Sequence, residues 1–303
     1  MNDPELLRLR EAMAKRVRPT DIGERRKMFD MFATQFPTAS DVAVEKVKAN
    51  GVAAEWTRTP GADGSRAILY VHGGGYVIGS LDSHRHLVSE VGRAAGAQAL
   101  ALDYRLAPEH PFPAPVEDSV AAYRYLIAQG FAARNIAIAG DSAGGGLVVA
   151  ALVAIREAGL PQPACGWAMS PWVDMQAIGG SMVSKAATDP TVQKETILEM
   201  AAHYLNGADP RAPLAAPLYA DLRGIAPLLI QVGAAETLLD DAIRLAGVAG
   251  AADVAVRLDV WPEMIHVWHL FHPMLTAGRR AISEGGAFLH TTMADGPPFT
   301  ARG

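Results

Sequence analysis

A chain of 303 residues, half of them apolar and 19% charged, has enough apolar side chain to bury a core and is no disordered segment. Twenty-seven basic against 32 acidic residues leave a net charge of −5. That balance gives neither the basic face of a nucleic-acid binder nor a polybasic patch for anionic lipid.

The single cysteine, Cys165, cannot form an intramolecular disulfide, and its apolar neighbourhood, Ala164 to Met169, reads as a buried strand with a small core thiol. The opening stretch MNDPELLRLREAMAKR mixes acids and bases without an apolar run and does not read as a signal peptide. The longest apolar stretch, 144–155, is too short to span a bilayer. A cytoplasmic protein without membrane insertion is the expectation. At about 150 residues per domain the length allows two domains, yet α/β folds often run past 250 as one. The chain reads as one large domain with an accessory part.

In chain order, Leu6, Leu7, Met13 and Val17 recur at helical spacing, with breaks at Thr20-Asp21-Ile22-Gly23 and Phe36-Pro37-Thr38. Weak alternation from Val42 to Val47 and a strand over 52–57 flank Asn50-Gly51, a hairpin signal. Apolar strands over 67–71, 97–102, 136–139, 166–170, 228–232 and 254–260 then alternate with helical stretches that include 116–128, 143–157 and 239–251. Strands apolar throughout, separated by helices, predict a mostly parallel sheet covered on both faces. The interval from Pro171 to Pro227 breaks this rhythm, with one helical segment around 196–205. A structureless loop of that length does not suit a compact domain. It reads as an inserted helical cap, giving a cap segment over 1–40, a core over 41–171 and 218–303, and a second cap segment over 172–217.

The sharpest chemical signal is Gly140-Asp141-Ser142-Ala143-Gly144, after a β-branched strand and before a small-residue helix. A serine on such a tight turn holds its hydroxyl exposed, and a Cβ at either glycine would collide with the neighbouring strand or helix. The helix amino terminus offers N–H groups to developing negative charge. Ser142 is the candidate nucleophile. A second signal, His72-Gly73-Gly74-Gly75-Tyr76, follows a strand and exposes backbone N–H groups in the manner of an oxyanion loop. The predicted donors are Gly73, Gly74 and Ala143. The glycine spacing does not fit a dinucleotide fingerprint, and no phosphate-binding loop is present.

Of nine histidines, His266 falls just beyond the last core strand, where this chain order places the base. His269 and His272 suggest a metal cluster, but the three do not converge on one helix face, and they read as packing or surface residues. No metal and no cofactor are expected. His72 is expected to shape the glycine loop. Glu236, in the loop after the strand at 228–232, ranks first as the acid. Asp240 ranks second, since it and Asp241 would cap the next helix, and Glu263 is too close in sequence to His266.

HGGGY at 72–76, DYRLAPEHPFPA at 103–114 and GDSAG at 140–144 together resemble the bacterial hormone-sensitive-lipase-type (family IV) carboxylesterases, from about Trp56 to His266. The resemblance implies an α/β-hydrolase fold with a helical cap, short-chain ester hydrolysis without a cofactor, and frequent homodimers. The family's acid is usually an aspartate; the matching position here is Glu236. By the same likeness Asp141 braces the glycine loop, and 104–115 serve as its scaffold. A serine carboxylesterase acting on small-molecule esters is therefore expected. A lactone hydrolase with the same triad is the nearest rival, and a non-catalytic receptor on the same fold is the other.

Overall fold

The structure is a computed structural model describing residues 3–15 and 19–295. Two helices lead, α1 (Pro4–Ala14), capped by Asp3, and α2 (Ile22–Ala33), capped by Asp21. Val17, which the spacing assigns to the first helical face, lies outside the described residues. The hairpin β1 (Ala43–Ala49) and β2 (Val52–Arg58) turns on Asn50 and Gly51, both at positive φ. There follow β3 (Asp63–Val71), α3 (Leu81–Ala95), β4 (Ala97–Leu102), α4 (Ala114–Ala128), β5 (Ile136–Asp141), α5 (Ala143–Glu157) and β6 (Cys165–Met169). After the insertion, with its short α6 (Ser181–Ser184) and α7 (Lys194–Leu205), come β7 (Leu228–Gly233), α8 (Leu239–Ala251), β8 (Val256–Trp261) and α9 (Thr276–Asp295).

The eight strands form one sheet in the order β1-β2-β4-β3-β5-β6-β7-β8. β1, β2 and β4 pair antiparallel, and every other pairing is parallel. Two apolar layers fill its faces, one beneath α4, α5 and α8 and the other beneath α3 and α9. β5 and β6 are buried end to end, as parallel strands covered on both sides must be. No described helix is long and apolar enough to cross a membrane.

Several strand ends differ from expectation, β3 for one starting at Asp63 rather than 67. β6 stops at Met169 because Ser170 turns to φ 46, and β8 starts at Val256 rather than 254. α9 carries Gly285-Gly286, which weakens a helix on propensity alone. A Cβ on Gly285 would enter the Trp167 ring, and one on Gly286 would strike Ala94. These glycines let α9 lie close against β6 and α3. The parallel register brings the carboxyl ends of β3, β5, β6, β7 and β8 to one edge, and the chemically interesting loops all leave from it.

Candidate active site

Ser142 sits between β5 and α5 at φ 55, ψ −121, a conformation a non-glycine residue adopts only under constraint. The constraint is visible: its N–H donates to Met169 O at 2.8 Å, and its carbonyl accepts from Trp172 N at 3.0 Å and Gly146 N at 3.1 Å. A Cβ on either Gly140 or Gly144 would strike Val71 O at the end of β3. Both glycines are therefore required by the close approach of elbow and strand.

His266, in the loop beyond β8, points Nε2 at Ser142 Oγ at 2.9 Å, and Nδ1 lies 2.6 Å from Glu236 Oε2. The acid is fully buried in the loop after β7. Its other oxygen accepts from Gly233 N at 2.5 Å and from Ser170 Oγ at 2.8 Å. Ser170 Oγ in turn accepts from Val267 N at 3.1 Å, so one hydroxyl ties the acid to the residue following the histidine. Burial lowers the affinity of His266 for a proton, but the bond to Glu236 and the nearby carboxylates outweigh it, and the net pKa lies above the ordinary imidazole value.

In the glycine loop, His72 stacks on Tyr104 with ring centroids 4.3 Å apart, and its Nδ1 lies 2.7 Å from Gly73 O. Burial pushes its pKa down to about 3, so this imidazole is neutral at pH 7. Tyr104 donates to His72 O at 2.8 Å, and Ala107 N to Tyr76 O at 2.9 Å; the 104–115 stretch thus bonds directly to the loop. Asp141 Oδ1 accepts from Tyr70 at 2.8 Å and from Gly73 N at 3.1 Å, with His84 Nε2 3.4 Å from Oδ2.

That bond corrects one expectation. The Gly73 N–H, predicted to receive an oxyanion, donates to Asp141 Oδ1 in this structure. Among the described residues nothing accepts from the N–H groups of Gly74 and Gly75, and both line the same cavity as Ser142 and His266. Gly74 has φ 116, and a Cβ there would meet Ile78 O, so only glycine turns the loop this way. Ala143 opens α5 directly after Ser142.

The aspartates of α8 lie in its first turn, where the sequence places them, but they do not cap it. The residue at the head of this helix is Leu238, without a side-chain cap. Asp240 instead accepts from Ser181 N at 2.9 Å, and Asp241 from Val173 N and Asp174 N, both at 3.0 Å. They moor the insertion to the core. His269 bonds Gln231 Oε1 at 3.0 Å and lies against Trp268, while His272 stacks on His86, so neither converges with His266. Glu263 is exposed, and its carbonyl accepts from Arg10. Burial pushes the Cys165 thiol up to about 12.

Sequence reading misses Ser170 and Asp189. Asp189 accepts from Thr237 N at 2.9 Å and from Thr191 N at 2.7 Å, joining the residue after Glu236 to a cavity wall. A signal for Ser170 exists, since it follows a strand at the edge that carries Ser142 and Glu236. The cavity holds about 250 Å3. Its walls are mainly apolar, with Phe29 and Phe32 from α2, Ile197 and Met200 from α7, and Trp172 and Leu270.

A family model described as alpha/beta hydrolase fold matches residues 68–270. The chain belongs to the α/β-hydrolase family. It is 47% identical over 298 residues to an acetyl-hydrolase of Streptomyces hygroscopicus, covering 98% of this chain and 99% of that one. A crystal structure of an esterase from the bacterial hormone-sensitive lipase family superposes with a TM-score of 0.95 at 50% identity, covering 97% and 100%. EstE5 soaked with p-nitrophenyl butyrate follows at 0.94 and 49%, with the same coverage. The protein is thus a carboxylic ester hydrolase of the hormone-sensitive-lipase type. In this esterase the loops that carry Ser142, Glu236 and His266 all leave the mostly parallel sheet.

Proposed function

We propose that the esterase hydrolyses short-chain esters through an acyl-enzyme on Ser142. His266 Nε2 takes the hydroxyl proton as Oγ attacks the ester carbonyl, and Glu236 holds Nδ1–H and stabilises the imidazolium. The N–H groups of Gly74, Gly75 and Ala143 receive the oxyanion. The tetrahedral intermediate collapses as His266 returns the proton to the departing alcohol. Water, deprotonated by the same imidazole, then attacks the acyl-serine; collapse releases the acid and restores the serine hydroxyl. His72 and Asp141 position the glycine loop and touch no reacting atom. The amino-terminal helices and the insertion act as a cap that shapes the substrate space.

One observation carries this reading: the unbroken run from Ser142 Oγ through His266 to Glu236, at 2.9 and 2.6 Å, beside two glycine N–H groups without a protein acceptor among the described residues. The test is a sulfonyl fluoride with a short p-nitrophenyl ester as substrate. The reagent should add once, to Ser142, with activity lost in step, and Ser142→Ala should lose at least about 10⁴-fold in kcat. An adduct mapped elsewhere, or turnover surviving in Ser142→Ala, would reject it.

A further inference from the structure

The space over Ser142, about 250 Å3, is small against the ~300–1,000 Å3 of ordinary small-molecule sites. Beside it a second hollow of about 710 Å3 opens to solvent between α1, α2 and residues 273–274. Met13, Met28 and Phe32 line both. Among the described residues that line the outer hollow Gln35 is the one polar side chain, and its rim exposes Met31 (67%) and Met274 (41%). Two of the three shared side chains are unbranched thioethers with three rotatable bonds, which repack where branched side chains could not.

The hollow is built onto the loop that carries the base. Phe32 and Phe36 both pack edge-on against Phe271, and Met13 shares an apolar cluster with Ile265 and Trp268. His266 protonates the departing alcohol, so the alcohol half of the ester faces this side. A long alcohol that outgrows the inner cavity and continues past Met13, Met28 and Phe32 meets further apolar surface.

We propose that the outer hollow is a second binding site, for the distal part of a long unbranched alcohol, and that Met13, Met28 and Phe32 form a yielding wall in front of it. The substrate class is the short-acyl ester of a long apolar alcohol. This rests on the roles given above to Ser142 and His266.

The test compares decyl acetate with its isomer ethyl decanoate, each below its solubility limit, with ethyl acetate as reference. The isomers match in carbon number and differ only in which arm is long. Decyl acetate should be favoured over ethyl decanoate in kcat/KM by about tenfold or more, the scale on which apolar contacts discriminate substrates. Met31→Glu combined with Met274→Glu, placing charge on the rim, should cut the decyl acetate to ethyl acetate ratio by about tenfold, because a buried methylene run then lies against a carboxylate. The ethyl decanoate to ethyl acetate ratio should stay within about twofold. Met28→Ala should raise the first ratio. A first ratio unmoved by the rim substitutions, or a change confined to ethyl decanoate, overturns the proposal. Failure of the catalytic reading shows itself separately, as ethyl acetate hydrolysis that survives Ser142→Ala.

Discussion

Beneath the catalytic cavity, Asp141, Ser170 and Glu236 are all almost completely buried, and they accept from named donors at 2.5 to 3.1 Å. Above it, the segments proposed as the cap present Met13, Met28, Phe29, Phe32 and Met200. α2 meets α7 through one ion pair, Arg25 to Glu199 at 3.1 Å, half in solvent. Polar anchors hold the roof at its margins: Arg26 on Val77 O, Ala107 O and Glu109, and Asp189 on Thr237. The difference follows from what each region must do. A proton transferred between Ser142 and His266 needs atoms fixed to fractions of an ångström, which saturated buried hydrogen bonds supply. A pocket that receives varied apolar groups is better served by non-directional contacts and flexible thioethers.

The largest effect that could break this contrast lies in the floor. Glu236→Gln keeps the shape and one acceptor but loses the charge that fixes the His266 tautomer. It should cost roughly 10³–10⁴ in kcat with KM little changed. Circular dichroism and the thermal midpoint check that the fold survives. Because residues acting as a unit are not additive, Ser142→Ala with Glu236→Gln should be no slower than Ser142→Ala alone. If Asp240→Asn carried the large loss instead, the moorings of the insertion and the catalytic floor would not be separate systems.

The same contrast explains what the sequence could disclose. Gly140-Asp141-Ser142-Ala143-Gly144 and the 72–76 loop are local patterns whose spacing encodes their own backbone geometry, and Glu236 and His266 follow from strand ends in chain order. Gly73 misleads in sequence because the use of its N–H depends on Asp141, which reaches it across the sheet rather than along the chain. The aspartates of α8 look like helix caps in sequence, yet their partners lie in the insertion. Ser170 is a lone polar residue in sequence and gains meaning only when Glu236 and Val267 arrive from two other loops. α9 hides behind Gly285-Gly286, whose reason is the Trp167 ring and Ala94. The helices proposed as the cap carry no motif, since apolar walls accept many side chains of similar size.

An intermediate effect should come from Ser170. Removing its hydroxyl strips one donor from Glu236 and one acceptor from Val267 N, loosening acid and base together. Ser170→Ala should lower kcat by about 10–100-fold, the cost of misplacing a reacting group by up to 1 Å, with KM nearly constant. The pH profile separates positioning from general damage. The base must be neutral, and the pKa of His266 is raised, so kcat/KM should fall tenfold per pH unit as pH drops through a value above the ~6.5 of an unperturbed imidazole. Without the Ser170 donor, Glu236 holds the imidazolium proton more tightly, and that limb should move to higher pH. Ser170→Gly relieves the positive φ while also removing the hydroxyl. If it restored the rate, backbone strain and not the hydroxyl would be responsible.

The smallest effect sits where floor and roof join, and it is read in stability. Asp241 is fully buried; Oδ2 accepts from Val173 N and Asp174 N, while Oδ1 has no protein donor among the described residues. Burial, joined by the Asp174 carboxylate and opposed by those two N–H bonds and by Arg244, pushes its pKa up to about 7. The unfolded chain releases this proton near ~3.9. Between those values the folded protein binds more protons than the unfolded one, so this group makes stability fall as pH rises from about 4 to about 7 and level off above. That slope is opposite to the one given by a salt-bridged carboxylate such as Glu109, whose pKa Arg26 holds down at about 2. Asp241→Asn keeps an oxygen for both N–H groups and does not titrate. Relative to the parent, the variant should therefore gain at least ~1 kcal/mol in stability between pH 5 and pH 8, a floor set below the ~1.4 kcal/mol that a tenfold change in proton affinity is worth. Urea unfolding at the two pH values measures it. An equal difference at both would mean that Asp241 is charged throughout, and that the insertion is moored by an ion rather than by a neutral acid.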